Sequence, residues 1–307
     1  MARFASIVAH RASDTAPDSR HTQRSLLAEV LMFIQENKTA LVTGASSGMG
    51  KAIARRLIQE GYQVYVAARQ LGKMEDLASL GAQCLQMDLS RQDDRLAVVN
   101  TILSQTGGVD VLVNNAGFGL YGPVEEIGID EARYQFEVNL FGAAHLTQLL
   151  LPAMRARRRG YIVNISSMGG KMYSVLGAWY HATKHALEGW SDCLRLEVAD
   201  FGIKVVIIEP GVIETGFGDA ASESIVKRSA TGPYGQLVKG VALSIQKTYG
   251  HGTGSDPQTI AEVVLVAVNA SNPRPRYAVG KYAKLLIRMR VWLGDRLFDR
   301  IILSQMR

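Results

Sequence analysis

Seven apolar, β-branched runs recur along this chain of 307 residues, and helix-like stretches separate most of them. The runs are ALVTG, QVYVAA, QCLQMD, VDVLVNN, GYIVNIS, IKVVIIEP and RYAVG. Helical patterning falls at about residues 50–60, 73–80, 93–105, 130–157 and 180–200. That alternation severely limits the architecture. Parallel neighbours cannot be joined by a tight hairpin, so each pair needs a crossover, and the crossover helices cover both faces of the sheet. The near-continuous Val and Ile content of the runs agrees with strands buried on both sides. The expectation is therefore one α/β domain with a parallel sheet, over residues 38–282, since no linker or composition break interrupts that span. Residues 1–37 read as a loosely ordered N-terminal extension. The rhythm fails at about 214–257, a stretch rich in Gly, Ser and Ala with no clear period. An irregular insertion of that length in a compact domain reads as a functional lid.

The first run leads into TGASSGMG, residues 43–50, and then into a helical pattern. Strand, glycine-rich turn and helix in that order are the context of a dinucleotide-binding fingerprint. Gly44 would permit the tight turn, Gly48 the approach of backbone N–H groups to a pyrophosphate, and Gly50 close packing of the helix. The helix N-terminus would add unpaired donors and a favourable dipole. The spacing is G-x-x-x-G-x-G rather than G-x-G-x-x-G, so the motif alone leaves a purely structural turn open.

Other segments narrow the choice: NNAG at 114–117, Asn139 within FEVNLFG, NISS at 164–167, YHATK at 180–184 and PG at 210–211. In this order and at these intervals the chain resembles the short-chain dehydrogenase/reductase family in its classical branch, closely over residues 38–215 and loosely beyond. It is also similar to NADP-dependent members related to hydroxysteroid and retinol dehydrogenases. The resemblance implies a Rossmann-type doubly wound domain with a seven-stranded parallel sheet, a nicotinamide cofactor, and a carbonyl–alcohol substrate pair. It implies a catalytic set of Asn139, Ser167, Tyr180 and Lys184. The implied cofactor contacts are Gly44, Ser46, Ser47, Gly48, Met49, Gly50, Arg69, Asp88, Leu89, Asn115, Ala116, Gly117, Tyr180, Lys184, Pro210, Gly211, Ile213 and Thr215. Within that set Asp88 is expected at the adenine, Asn115 to Gly117 along the adenosine ribose, and Pro210 to Thr215 at the nicotinamide end.

The residues support a chemistry of their own. Tyr180 and Lys184 lie four apart and share one helix face. An ammonium beside a phenol favours the phenolate and lowers its pKa from the usual ~10. Tyr180 could then protonate a carbonyl oxygen as hydride reaches the carbon, with the Ser167 hydroxyl bonding the same oxygen. Ser166 competes with Ser167, and strand alternation would let only one face the site. Asn139 matches the family's asparagine that holds a water in a proton relay through Lys184. His181 and His185 have a metal-like spacing but no accompanying third ligand, so no metal is expected. The cofactor is expected to be NADP(H). Ala68 stands where NAD-using relatives carry Asp, and the Arg69 guanidinium that follows suits a 2′-phosphate. One departure is Ser46 and Ser47, where many NADP-using relatives carry a further basic residue.

Charge and cysteines bound the remainder. Of the net charge of +6, residues 273–307 carry +7, from nine Lys/Arg and two Asp. The basic balance is thus one tail and does not point to nucleic acid, and RARRRG at 155–160 reads as a solvated helix end. Cys84 and Cys193 form no motif, which suits a reducing, cytoplasmic setting. From Lys281 onward the apolar residues Tyr282, Leu285, Leu286, Met289, Leu293, Leu297 and Ile301 alternate with Lys and Arg. That predicts a basic amphipathic helix over 283–307, packed on the body, on a second subunit, or weakly on a membrane surface. The lid residues Phe217, Ile225, Val226, Tyr234, Leu237 and Val238 suggest a hydrophobic ketone or aldehyde. A homodimer or homotetramer is expected from the resemblance. The competing classes are a catalytically idle NADP-binding sensor or scaffold protein and a peripheral membrane dehydrogenase of the retinol or steroid type.

Overall fold

The computed structural model describes residues 38–229, 231–250 and 252–305. The expected N-terminal extension lies outside the described residues. The strands are β1 (Thr39–Thr43), β2 (Gln63–Ala68), β3 (Gln83–Gln86), β4 (Val111–Asn114), β5 (Gly160–Ile165), β6 (Ile203–Pro210) and β7 (Arg276–Val279). They form one sheet in the order β3-β2-β1-β4-β5-β6-β7, and every pairing is parallel. This is the Rossmann-type doubly wound α/β fold.

Strand alternation divides the apolar residues between two cores. Ala40, Val42, Val64, Val66, Val111, Val113, Val163 and Ile165 face α1 (Gly48–Gln59) and α9 (Pro257–Asn269). Leu41, Tyr65, Leu112, Ile162 and Val205 face the opposite layer. That layer contains α3 (Gln92–Thr106), α5 (Gly142–Arg157) and α6 (Ala178–Glu197). Period-two side-chain placement thus puts apolar residues on both faces of one strand, which explains the unbroken Val/Ile runs. Between β2 and β3 the helix is short, α2 (Glu75–Ser79), after a 3₁₀ turn at Leu71–Met74. The chain order reverses between β1 and β4, which are neighbours. Sheets of this kind open a crevice at the carboxyl ends of their strands at such a switch point.

Three segments depart from the sequence expectation. The stretch expected as one helix over 130–157 is α4 (Ile129–Phe136) and α5, joined by a π-helical turn at Glu137–Phe141. The lid is not irregular: it is α7 (Phe217–Ser229) and α8 (Gly235–Tyr249). The buried positions of α7 are Gly218, Ala221, Ser222, Ile225 and Ser229. Their spacing is helical, but their side chains are mostly small or polar, so no hydrophobic period marks them. Finally, α10 (Ala283–Ser304) is interrupted at Gly294, whose φ of 65° is left-handed. The break shifts the phase of the second half: Phe298 and Ile302 are buried there, each one position after the expected Leu297 and Ile301. They pack with Met168, Met172, Tyr173 and Val175, so that half of the helix rests on the loop following β5.

Candidate active site

The β1–α1 turn is shaped by its glycines. Gly44 sits at φ +67°, and a Cβ on Gly50 would lie 2.4 Å from the Gly44 carbonyl oxygen and from Asn115 Nδ2. Asn115 holds the turn in place: its side-chain amide donates to the carbonyls of Thr43 and Gly44 at 2.9 and 3.3 Å. Thr43 Oγ1 in turn accepts the backbone N–H groups of Asn115 and Ala116, both at 3.0 Å. Thr43 is thus the joint between the loops after β1 and β4. Sequence reading missed it because a strand-end threonine gives no local sign of a bond across 72 positions. Ser47 caps α1 without a side-chain bond, and no acidic residue occupies the first turn. The helix start therefore presents free N–H donors and its positive end.

Those donors open into a cleft of about 790 Å³ along the carboxyl ends of the strands. Every residue named as a cofactor contact lines it: Gly44, Ser46 to Gly50, Arg69, Asp88, Leu89, Asn115 to Gly117, Pro210, Gly211, Ile213 and Thr215, as do Ser167, Tyr180 and Lys184. The residues present fit a dinucleotide. The turn offers an anion cradle that larger side chains would fill, and Arg69 stands beside Asp88 at the far end. Burial pushes the Asp88 carboxyl up, but bonds from Ser90 and the nearby Arg69 and Arg91 leave it below the usual range.

At the other end, α6 carries Tyr180 and Lys184 on one buried face. Lys184 Nζ donates to the Ile165 carbonyl at 2.8 Å. Burial lowers its pKa to about 8, against the opposing field of Glu188. Burial raises the Tyr180 hydroxyl above its usual 10, and a hydrogen bond with Ser167 offsets part of the rise. This corrects the expected direction. Lys184 is engaged by the end of β5 and is not among the groups that depress the phenol; Ser167 is. Ser166 also lines the cleft, because β5 ends at Ile165 and strand alternation no longer separates the two serines. Its buried hydroxyl has no hydrogen-bond partner.

Asn139 lies behind the cleft wall, buried in the π-helical turn. Its amide donates to the Phe118 carbonyl at 2.9 Å and to Thr183 Oγ1 at 3.1 Å, and its oxygen accepts the Phe118 N–H at 3.0 Å. The side chain is occupied in fixing the loop after β4 against α6, and it makes no bond to Lys184. His181 also holds a loop. Its Nε2 accepts the Ser174 N–H at 3.0 Å, so Nδ1 carries the proton and donates to the Gly169 carbonyl at 2.9 Å. Burial lowers its pKa to about 4, so the ring stays neutral. His185 Nδ1 meets the His181 carbonyl at 2.9 Å. The two histidines thus face different tasks.

An aromatic wall closes the site. The Tyr180 ring lies 5.5 Å from those of Tyr121 and Phe217, and Phe217 lies 6.3 Å from Tyr249. Of the lid residues singled out in the sequence, only Phe217 lines the cleft. Ile225 and Val238 are buried within the lid packing, Val226 is exposed, and Tyr234 lines a separate cavity beside Pro123. Ala220, Ala221, Ser224, Arg228 and Tyr249 also face the cleft. Arg228 ties the lid to α4 through two bonds to the Glu131 carboxylate, at 2.8 and 2.6 Å.

Residues 38–225 match the short chain dehydrogenase family. A 3-ketodihydrosphingosine reductase of Bacteroides thetaiotaomicron is 34% identical over 260 residues, covering 84% of this chain and 94% of the relative. Retinol dehydrogenase 8 of Bos taurus is 32% identical over 249 residues, 77% of this chain and 79% of that one. Among solved structures, actinorhodin polyketide ketoreductase with NADPH superimposes with a TM-score of 0.68 at 34% identity, covering 79% of this chain and 95% of that one. The match of the family over more than half the chain, on a fold and cleft of this form, makes the protein an oxidoreductase of the short-chain dehydrogenase family that uses a nicotinamide cofactor and a small-molecule substrate.

Proposed function

We propose that the protein is an NADP(H)-dependent reductase of hydrophobic ketones or aldehydes, with Tyr180 as the general acid. The carrying observation is the convergence of Tyr180, Ser167 and Lys184 at one end of a cleft whose other end holds Arg69 and whose middle is the uncapped start of α1. The nicotinamide cofactor supplies the hydride, or takes it up in oxidation. Arg69 binds the 2′-phosphate, with Ala68 leaving room for it, and the β1–α1 turn binds the pyrophosphate. Ser167 bonds the substrate oxygen and orients it toward Tyr180. The Tyr180 hydroxyl gives its proton to that oxygen as the carbon–hydrogen bond forms, and the Lys184 ammonium, one helical turn away, would be drawn from the Ile165 carbonyl toward the phenolate left behind. Burial keeps the Tyr180 phenol protonated at neutral pH, the state a general acid needs, and the Ser167 hydrogen bond moves it back toward the range in which it can donate. Asn139 and His181 position the loops that carry Phe118 and Gly169. Relatives named for 3-ketodihydrosphingosine and retinol, both with long hydrocarbon portions, support the substrate class. A screen of NADPH oxidation across carbonyl classes tests the reading, and turnover of no carbonyl, with NADPH bound tightly, would refute it.

A pH profile follows from Lys184. With its pKa near 8 in the folded protein, the ammonium is charged below that value and neutral above it. Reductive kcat at saturating NADPH should therefore be flat up to about pH 8 and decline above it. A rate that climbs steadily through that region would remove Lys184 from the proposed role.

Selectivity should follow the cleft wall. Phe118, Leu120, Phe217, Ala221 and Tyr249 surround the reacting end, so binding would rest on buried hydrocarbon, at ~25 cal/mol per Å². Across carbonyls of graded size, kcat/KM should rise with apolar bulk. Phe217→Ala should reorder that series more than it changes NADPH affinity. A small polar carbonyl that outperforms every bulky apolar one would defeat the substrate assignment.

A further inference from the structure

The part of α10 that does not pack on the body has an unusual surface. Trp292 is 81% exposed, Val291 70% and Leu285 56%. Leu285, Arg288 and Trp292 fall at helical spacing on one face of the first half, opposite Ala283 and Leu286, which lie against the body. Lys284 and Arg288 flank the apolar residues, and beyond the break at Gly294 the side chains of Arg296, Arg300 and Leu303 are also exposed.

Cations outnumber acids along α10: Lys284, Arg288, Arg290, Arg296 and Arg300 stand against Asp295 and Asp299. Its two acids are both engaged: Asp295 pairs with Arg290 at 2.6 Å, and Asp299 accepts from the Tyr173 hydroxyl at 2.9 Å. Among the described residues no ion pair is made by Lys284, Arg288, Arg296 or Arg300. The exposed side chains therefore offer cations interleaved with a tryptophan, a valine and leucines. A second copy of the chain would oppose this face with the same charges. A water-exposed protein partner would not require a tryptophan at the crest. An anionic lipid surface satisfies both features. Tryptophan settles at the headgroup level, short apolar side chains reach the acyl boundary, and long cations extend back to the phosphates. No helix among the described residues is long and apolar enough to cross a membrane, so the contact would be one of surface docking.

We propose that the outward face of α10, centred on Trp292 and Arg288, docks the protein on membranes rich in anionic lipid. The buried half of α10 would then join that surface to the catalytic region, because Phe298 and Ile302 pack on the loop that begins at Met168, next to Ser167.

Co-sedimentation of the full chain with phosphatidylcholine vesicles containing about 30% phosphatidylglycerol, and with phosphatidylcholine alone, tests the proposal. Binding to the anionic vesicles should be roughly tenfold stronger than to the neutral ones and should weaken in about 0.5 M salt. Arg288→Glu with Arg296→Glu should lower it at least tenfold, and Trp292→Ala several-fold. Lys284→Glu with Arg300→Glu should act like the first pair, so a folding failure in one variant does not shield the idea. Melting temperature and turnover of a soluble carbonyl should be unchanged in the variants, since all five side chains are exposed. Tryptophan emission should shift to the blue on binding, and Trp292→Ala should lose that shift. No sedimentation with anionic vesicles, or binding indifferent to all of these variants, would overturn the proposal. So would a self-association in solution that Trp292→Ala abolishes, because the face would then belong to a second copy.

Discussion

Tyr180→Phe should remove nearly all turnover, a loss of about 10²–10⁴-fold in kcat, while NADPH affinity stays within a few-fold of the original. The ring is held by packing that the substitution leaves alone. It lies among Tyr121, Phe217 and His181, with centroid distances of 5.5, 5.5 and 5.6 Å. What is lost is the hydroxyl that interacts with Ser167 and would donate to the substrate. Tyr121 and Tyr249 do not replace it: burial raises both hydroxyls, and neither has the Ser167 partner that offsets the rise at Tyr180. Steady-state kinetics together with NADPH fluorescence titration separates the two effects. A variant retaining more than about a tenth of kcat would show that proton transfer is not the main task of Tyr180.

The second large effect concerns cofactor choice. Ala68→Asp with Arg69→Ala should shift preference from NADPH toward NADH. Ala68 ends β2, nearly buried, and its carbonyl accepts the Met87 N–H at 3.0 Å, so the backbone at this position is fixed. A carboxylate there would project at the ribose, repel a 2′-phosphate and accept a bond from a 2′-hydroxyl. Removing Arg69 deletes the charge-assisted partner. One such pair is worth about 1.5–3 kcal/mol, or roughly 10–150-fold in NADPH affinity. The ratio of kcat/KM for the two cofactors reads the change directly. Equal use of NADPH and NADH by the unmodified protein would refute the assignment before any variant was made.

Both predictions rest on residues that were legible without coordinates, and the reason is local. Strand character, the glycine turn and the Tyr180–Lys184 spacing are carried by neighbours within a few positions. Backbone sterics and a fixed helical or strand period translate such spacing into geometry. Parallel order followed as well, because a chain that alternates strand and helix has few ways to bury both. The residues expected at the cofactor line one cleft because they follow the carboxyl ends of strands of that sheet.

Where the sequence misled, a long-range contact or a change of phase was responsible. The lid helix α7 hid its period because, Ile225 apart, its buried face is built from Gly, Ala and Ser, and its cleft-facing side includes Ser224 and Arg228. Of the apolar stripe expected along α10, Leu286 and Met289 pack on the body while Tyr282 and Leu285 are exposed, and beyond Leu293 the stripe is lost because a left-handed Gly294 resets the rotation. The direction of the Tyr180 pKa depended on burial and on the Ser167 hydroxyl thirteen positions away. Thr43 at the junction of two loops, and Asn139 turned toward Phe118, are bonds between segments that only folding brings together. The sequence by itself determined the strands, the turn that can receive a phosphate, and the paired side chains on one helix. The tertiary structure decided what those side chains face, because burial and hydrogen-bond partners are set by segments far apart in the chain, and they fix the protonation and reach of each group.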